Sequence, residues 1–291
     1  MPRWLNRDEY PFIPHYLELP MGRMHYVDEG QGDHAVVLVH GNPVWSFTYR
    51  KLIRCLSPHY RCIAMDHIGF GLSDKPVDWD YLPQGHAQNL AALLDHLQLT
   101  SITLVVNDWG GPIGMAYAID HPQKIRSLVI GNSWMWSVRG IFHYEAFSRV
   151  MGGPVGRWLI RRYHFFVRVL MRNMFRARLD HALHRHYVEP LNTPAKRKGC
   201  WVFPRQILAA SDWLAGLWAR RGAIADKPAM IFWGLRDIAF RDIELARWKT
   251  LFPNAMDRQY ADAGHFVFED KGEEICPLLI AHLHEVTQKS D

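Results

Sequence analysis

The chain has 291 residues, 34 Lys and Arg against 29 Asp and Glu for a net charge of +5, and 48% hydrophobic against 22% charged residues. That balance excludes a disordered, collagenous or low-complexity chain and points to one enzyme-sized folded unit. No run of eighteen apolar residues occurs and the opening MPRWLNRDEYPF carries no apolar secretory core, so a cytoplasmic protein without a spanning segment is expected. Cys55, Cys62, Cys200 and Cys276 follow no C-x-x-C or metal-ligand spacing and are expected as reduced, buried thiols.

In chain order, HYLELP and MHYVDEG before Ala35 offer two short strands suited to an antiparallel edge. From Ala35 the pattern alternates: AVVLVHG, SFTYRKLIRCL, YRCIAMD, GHAQNLAALLDHL, SITLVVND, GGPIGMAYAIDHP, IRSLVIGN. Short β-branched runs between amphipathic helical stretches predict a mostly parallel sheet with helices on both faces, an α/β fold. The alternation resumes with PAMIFWG, a helix around IELARWKTLF, a strand near MDRQYAD and a last helix starting near Gly272. Between the two blocks lies a segment that reads as helices without strands. Residues 1–133 and 223–291 are therefore expected to form a core domain, and 134–222 a helical cap over the carboxyl ends of its strands.

Charge separates these regions as well. Residues 134–222 hold 16 Arg and Lys against 4 Asp and Glu, a local +12 that leaves −7 elsewhere. The basic residues alternate with Trp, Phe, Leu and Met, as in RWLIRRYHFFVRVLMRNMF, which suits solvated faces of packed helices better than a nucleic-acid site. Self-association through this stretch, or weak contact with an anionic membrane surface, is carried as a second expectation. Trp134, Trp136, Trp158 and Trp201 are read as core or cap packing.

The chemistry centres on VVNDWGG, where a strand ends at Asn107 and Asp108 and a helix begins at the glycines. Such an elbow lifts one side chain over the sheet and aims helix N–H groups at it. An Asp at a strand-to-helix junction is most often only a helix cap. Here the chain order shifts the reading: Asp108 is followed by Asp237 just past a strand and by His265 before the last helix, the nucleophile–acid–His order of an α/β-hydrolase. VLVHGNPVWSF sets Asn42 and nearby backbone N–H groups at another strand end. His40, Asp66 and Ser73 are expected to hold loops by hydrogen bonds.

Taken together, HGNPVWSFTYR, MDHIGFGLSDKP, VVNDWGGPIGMA, GNSWMW, FPRQI, WGLRDIAF and GHF resemble the haloalkane dehalogenases, α/β-hydrolases with an inserted helical cap. The resemblance implies Asp108 as nucleophile, His265 as base, Asp237 as the acid that orients it, and Asn42 with Trp109 as the halide-holding pair. Some members of that family carry the acid at the end of the strand after the elbow helix, where this chain has Asn132 and Ser133; it resembles the branch with the acid at Asp237. Pro204 matches a cap motif at the pocket mouth.

A carboxylate is ionised at neutral pH and can attack an sp³ carbon without a base. Asp108 would displace halide and become an ester, with the Trp109 indole N–H and the Asn42 amide holding the leaving group. Water activated by His265 would hydrolyse the ester, its oxyanion held by the backbone N–H groups of Asn42 and Trp109. The implied partners are a small apolar halogenated substrate, water and the halide product, with no metal or other cofactor and no nucleic acid. The nearest alternative is an epoxide hydrolase using cap tyrosines such as Tyr144, Tyr163 or Tyr187; a hydrolase-fold binding protein or light-emitting oxygenase is more distant.

Overall fold

The computed structural model describes residues 2–176 and 179–288. Strands β1 (Pro14–Leu19) and β2 (Gly22–Glu29) lead into an alternating series: β3 (His34–Val39), α1 (Arg50–Leu56), β4 (Arg61–Met65), α2 (Pro83–His96), β5 (Ser101–Asp108), α3 (Gly110–Asp120) and β6 (Ile125–Ser133). A helical insertion follows, with α4 (Phe142–Met151), α5 (Pro154–Tyr163), a π-helical stretch Phe166–Met171 that runs into the single turn α6 (Arg172–Met174), α7 (His181–Val188), α8 (Lys198–Ala209) and α9 (Ser211–Ala219). The chain closes with β7 (Ala229–Gly234), α10 (Asp242–Leu251), β8 (Met256–Tyr260) and α11 (Val267–Gln288).

The eight strands form one sheet in the order β1-β2-β4-β3-β5-β6-β7-β8. Only the β1–β2 and β2–β4 pairs are antiparallel, which is the edge the two leading strands were expected to add. Every residue of β3 and β7 is buried, because β-branched and apolar side chains fill both faces of a sheet covered on both sides. Helix α1 packs with α11, and α2 with α3. Strand β3 sits between β4 and β5, so the strand order reverses there. The loops leaving β3 and β5 part at that point and open the crevice in which an α/β sheet places its ligand.

The span Val267–Gln288 is two helices joined across non-helical backbone at Lys271 (φ −126°, ψ 16°), so the last one begins at Gly272 as expected, preceded by a short helical turn that buries Val267 and Phe268. One expectation is corrected. Cys55 and Cys276 are not free thiols: they form a disulfide between α1 and α11, with Cα atoms 6.4 Å apart. Only the packing of these two helices brings residues 221 apart into range, so no local spacing encodes it. Cys62 and Cys200 are buried free thiols. Among the described residues no helix is long and apolar enough to cross a membrane, and no group of three His, Cys, Asp or Glu is placed to hold a metal ion.

A buried charge cluster ties the insertion to the sheet. Arg50 of α1 pairs with Glu269 of α11 and, at 3.1 Å, with Glu9; Tyr187 of α7 donates to the same Glu269 carboxylate at 2.5 Å. Arg50 and Glu269 are 2% and 1% exposed, so each charge depends on the other for the solvation it has lost. Glu269→Ala should lower unfolding stability by about 3 kcal/mol, since it leaves the buried guanidinium with only the part-exposed Glu9 for a partner. Urea unfolding checks this, and a loss below about 1 kcal/mol would show that the cluster does not hold α7 down.

Candidate active site

Three loop ends meet at the carboxyl edge of the sheet. Asp108 ends β5 with φ of +51°, left-handed backbone that an Asp tolerates better than most residues, and the β5–β6 register shifts between Asn107 and Asp108. The turn lifts the carboxylate out of the strand direction. Its carbonyl accepts from Ser133 Oγ at 2.7 Å, and the Ser133 carbonyl in turn accepts from the Trp248 indole at 2.8 Å. The surrounding glycines are required by close approach: a Cβ on Gly41 would strike the Asp108 carboxylate, and one on Gly110 the Val39 carbonyl.

The predicted acid, base and nucleophile are brought together. His265 Nδ1 lies 2.9 Å from Asp237 Oδ2, and its Nε2 lies 3.3 Å from Asp108 Oδ2. The Asn42 backbone N–H donates to Asp108 Oδ1 at 2.7 Å, so one of the two expected oxyanion donors already points at the carboxylate. Asp108, Asn42, Trp109 and His265 line one cavity of about 200 Å³, and Pro204 of α8 lines it from the opposite layer. The rest of its wall is mainly apolar, with Phe147, Phe166, Leu170, Ile207 and Phe240 among its residues.

His265 is almost wholly buried, and burial opposes its charge. The Asp237 carboxylate and hydrogen bonds to Asp108 and Asp237 outweigh that cost and lift its pKa to about 10. The two carboxylates thus favour the imidazolium over the neutral ring in the resting site. Esterifying Asp108 would erase one of those charges and release the ring toward a neutral base.

Several positioning groups were not foreseen. Asn132, read from sequence as the mark of a missing acid, donates to Asp237 Oδ2 at 3.0 Å and to the Gly234 carbonyl at 3.1 Å, and accepts from the Gly234 N–H at 2.8 Å. The Ala239 N–H holds the other Asp237 oxygen at 2.7 Å. Asn107, beside Asp108, donates to the His265 carbonyl at 3.0 Å. An amide at each of two adjacent strand ends was the available signal. His40, Asp66 and Ser73 hold loops: His67 N–H donates to His40 Nε2, Ser46 and Leu72 N–H groups to Asp66, and Ser73 Oγ to the Asp66 carbonyl.

The tryptophans divide. Trp136 packs against Trp218 and Trp248 as expected. Trp134 lines the cavity, edge-on to Trp109 at 4.7 Å, with its buried indole N–H unpaired. Trp158 is 56% exposed rather than packed, because it falls on the outer face of α5. Of the three tyrosines, only Tyr144 reaches the cavity and its hydroxyl donates to the Ala239 carbonyl; Tyr163 is exposed and Tyr187 is bound to Glu269.

A doubly wound sheet with an Asp at a strand-to-helix elbow and a His set between it and a second Asp is the arrangement of an α/β-hydrolase, and the family described as alpha/beta hydrolase fold matches residues 34–272. Haloalkane dehalogenase 2 of Mycobacterium tuberculosis is 38% identical over 93% of this chain and 95% of its own length. The cis-3-alkyl-4-alkyloxetan-2-one decarboxylase of Shewanella oneidensis is also 38% identical, over 91% of this chain and 86% of its own. The crystal structure of haloalkane dehalogenase DatA from Agrobacterium tumefaciens superposes with a TM-score of 0.85 at 26% identity, covering 97% of this chain and all of that one. The chain belongs to the haloalkane dehalogenase family of α/β-hydrolases.

Asp108→Asn should lower the His265 pKa from about 10, because it removes a charge and weakens a hydrogen bond that both favour the imidazolium. An NMR titration of the His265 ring reads this directly. An unchanged midpoint would mean that Asp237 alone sets the proton.

Proposed function

We propose that this enzyme hydrolyses small haloalkanes to alcohol and halide through an alkyl ester on Asp108. The observation that carries the reading is His265 spanning Asp108 and Asp237 at the wall of a small apolar cavity. Asp108 attacks the halogen-bearing carbon, the carbon–halogen bond breaks, and halide leaves toward the side chains of Asn42 and Trp109, which share the cavity. Water then adds to the ester carbonyl, giving its proton to His265 while Asp237 stabilises the imidazolium. The backbone N–H groups of Asn42 and Trp109 receive the oxyanion. On this reading residues 134–222 act as a cap over a core of 1–133 and 223–291, excluding bulk water and strengthening the fixed donors. No metal or organic cofactor takes part in these steps.

The volume of about 200 Å³ lies below the usual range for drug-sized ligands and favours short substrates. Epoxide opening is disfavoured, because it wants phenolic donors at the cavity and the single one there is committed to Ala239. A second reading has a specific basis in the decarboxylase relatives, 38% and 36% identical over 91% and 94% of this chain. The same carboxylate could attack the ring carbon of an oxetan-2-one, breaking its C–O bond and freeing a carboxylate on the neighbouring carbon. Loss of CO₂ would then supply the electron pair for the alkene as Asp108 departs, with no water consumed.

His265→Phe separates the two. With a brominated or iodinated alkane, it should release about one equivalent of halide and stall, with Asp108 heavier by one alkyl group in the intact-mass spectrum. Steady turnover by the variant would end the hydrolytic assignment, and so would halide release that survives Asp108→Ala. With a dialkyl oxetanone, alkene formation that survives His265→Phe would establish the decarboxylase reading instead.

A further inference from the structure

The outer face of the helical insertion carries a cleft that the active site does not use. Arg157, Trp158, Arg161 and Arg162 of α5 face Trp201 and Arg205 of α8 across it. A second cleft shares Gly152, Gly153 and Arg205 with the first and extends the surface to Arg139 and Arg149. Arg149 is paired with Glu145 and Arg139 with Asp212, but among the described residues no carboxylate lies within 4 Å of Arg157, Arg161, Arg162 or Arg205. These four contribute to the local excess of +12, of which Arg168, Arg172 and Arg185 border a separate cleft.

The charge is interleaved with exposed apolar side chains. Val150, Val155, Trp158 and Tyr163 are 56%, 64%, 56% and 52% exposed on α4 and α5. Helix α5 turns Gly156 and Ile160 toward the protein, while Val155, Trp158 and Arg162 share its solvent face. The Arg157 guanidinium lies over the Trp201 ring at 4.5 Å and that of Arg162 near the Tyr163 ring at 5.5 Å. Cations seated on aromatic rings beside exposed valines suit a boundary that is anionic at the surface and apolar beneath it. A nucleic acid would answer the arginines but offers nothing to Val155 and Val150.

We infer that this face docks the protein on an anionic lipid bilayer, through Arg157, Arg161, Arg162 and Arg205 with Trp158 and Val155 entering the headgroup region. The consequence for the enzyme is geometric. Helix α8 presents Trp201 and Arg205 to the cleft and Pro204 and Ile207 to the active-site cavity. A docked molecule would hold its cavity one helix, about 10 Å, from a phase in which apolar substrates dissolve.

The test is flotation of the full-length enzyme with phosphatidylglycerol–phosphatidylcholine vesicles and with phosphatidylcholine alone, in low salt and in 0.5 M NaCl. Binding should require the anionic lipid and fall with salt. Arg157→Gln combined with Arg161→Gln and Arg162→Gln should weaken it by at least about tenfold, as expected for three basic contacts near an anionic surface. Trp158→Ala should weaken it at constant charge. None of these side chains lines the active-site cavity, so turnover of a water-soluble substrate should be retained and reports that each variant is folded. No flotation in low salt, equal binding to both vesicle types, or binding unchanged by the triple substitution would overturn the inference. Double-stranded DNA captured as tightly as the vesicles, with Trp158→Ala indifferent, would also overturn it and assign the face to a polyanion.

Discussion

The left-handed backbone at Asp108 is the constraint on which the site depends. A non-glycine residue in that conformation costs roughly 1–3 kcal/mol and persists only where its surroundings overdetermine it. Here they do so from three directions: Ser133 grips the carbonyl, the Asn42 N–H grips the carboxylate, and Gly41 and Gly110 leave room where any side chain would push the turn open. Residues on β3, β5 and β6 thus share one task. Each must end at the same height, and the parallel registers of β3–β5 and β5–β6 bring this about.

The orienting acid follows a similar economy. A carboxylate in place of Asn132, within 3.0 Å of Asp237, would set two negative charges against each other in a buried site and force one to keep a proton. The amide instead donates to Asp237 without charge and uses its carbonyl to fix the Gly234 backbone from which Asp237 hangs. Asp237 can therefore remain the charge that faces His265 Nδ1. Nε2 is left to face Asp108, so the ring's two nitrogens are assigned by its neighbours rather than by its own chemistry.

What the sequence made legible is what local pattern controls. Strand ends follow β-branched runs, helix starts follow the glycines at 110 and 111, and chain order alone placed Asp108, Asp237 and His265 at loop ends that the sheet brings into contact. What stayed hidden depends on partners remote in sequence. Cys55 meets Cys276 because α1 packs on α11, and the Arg50–Glu269–Tyr187 cluster joins three helices that no periodicity connects. Gly272 marks the start of the last helix, while the short helical turn before it, anchored by buried Val267 and Phe268, carries no such local signal. Asn132 was noticed for the acid it lacks, while its three hydrogen bonds became visible only once β7 lay beside β6.

The abundance of aromatic residues, 13% of the chain, resolves into two opposite uses. Trp109, Trp134 and Phe240 wall the cavity, where excluding water lowers the local dielectric and makes each fixed N–H worth more to a developing anion. Trp158, Trp201 and Tyr163 stand outside among arginines, where Trp201 and Tyr163 seat cations and Trp158 and Tyr163 face solvent. Composition cannot separate these populations, because an indole suits a dry wall and a wet boundary alike. The helices separate them: Trp201 and Arg205 of α8 border the outer cleft while Pro204 and Ile207 border the inner cavity, so one helix serves both surfaces.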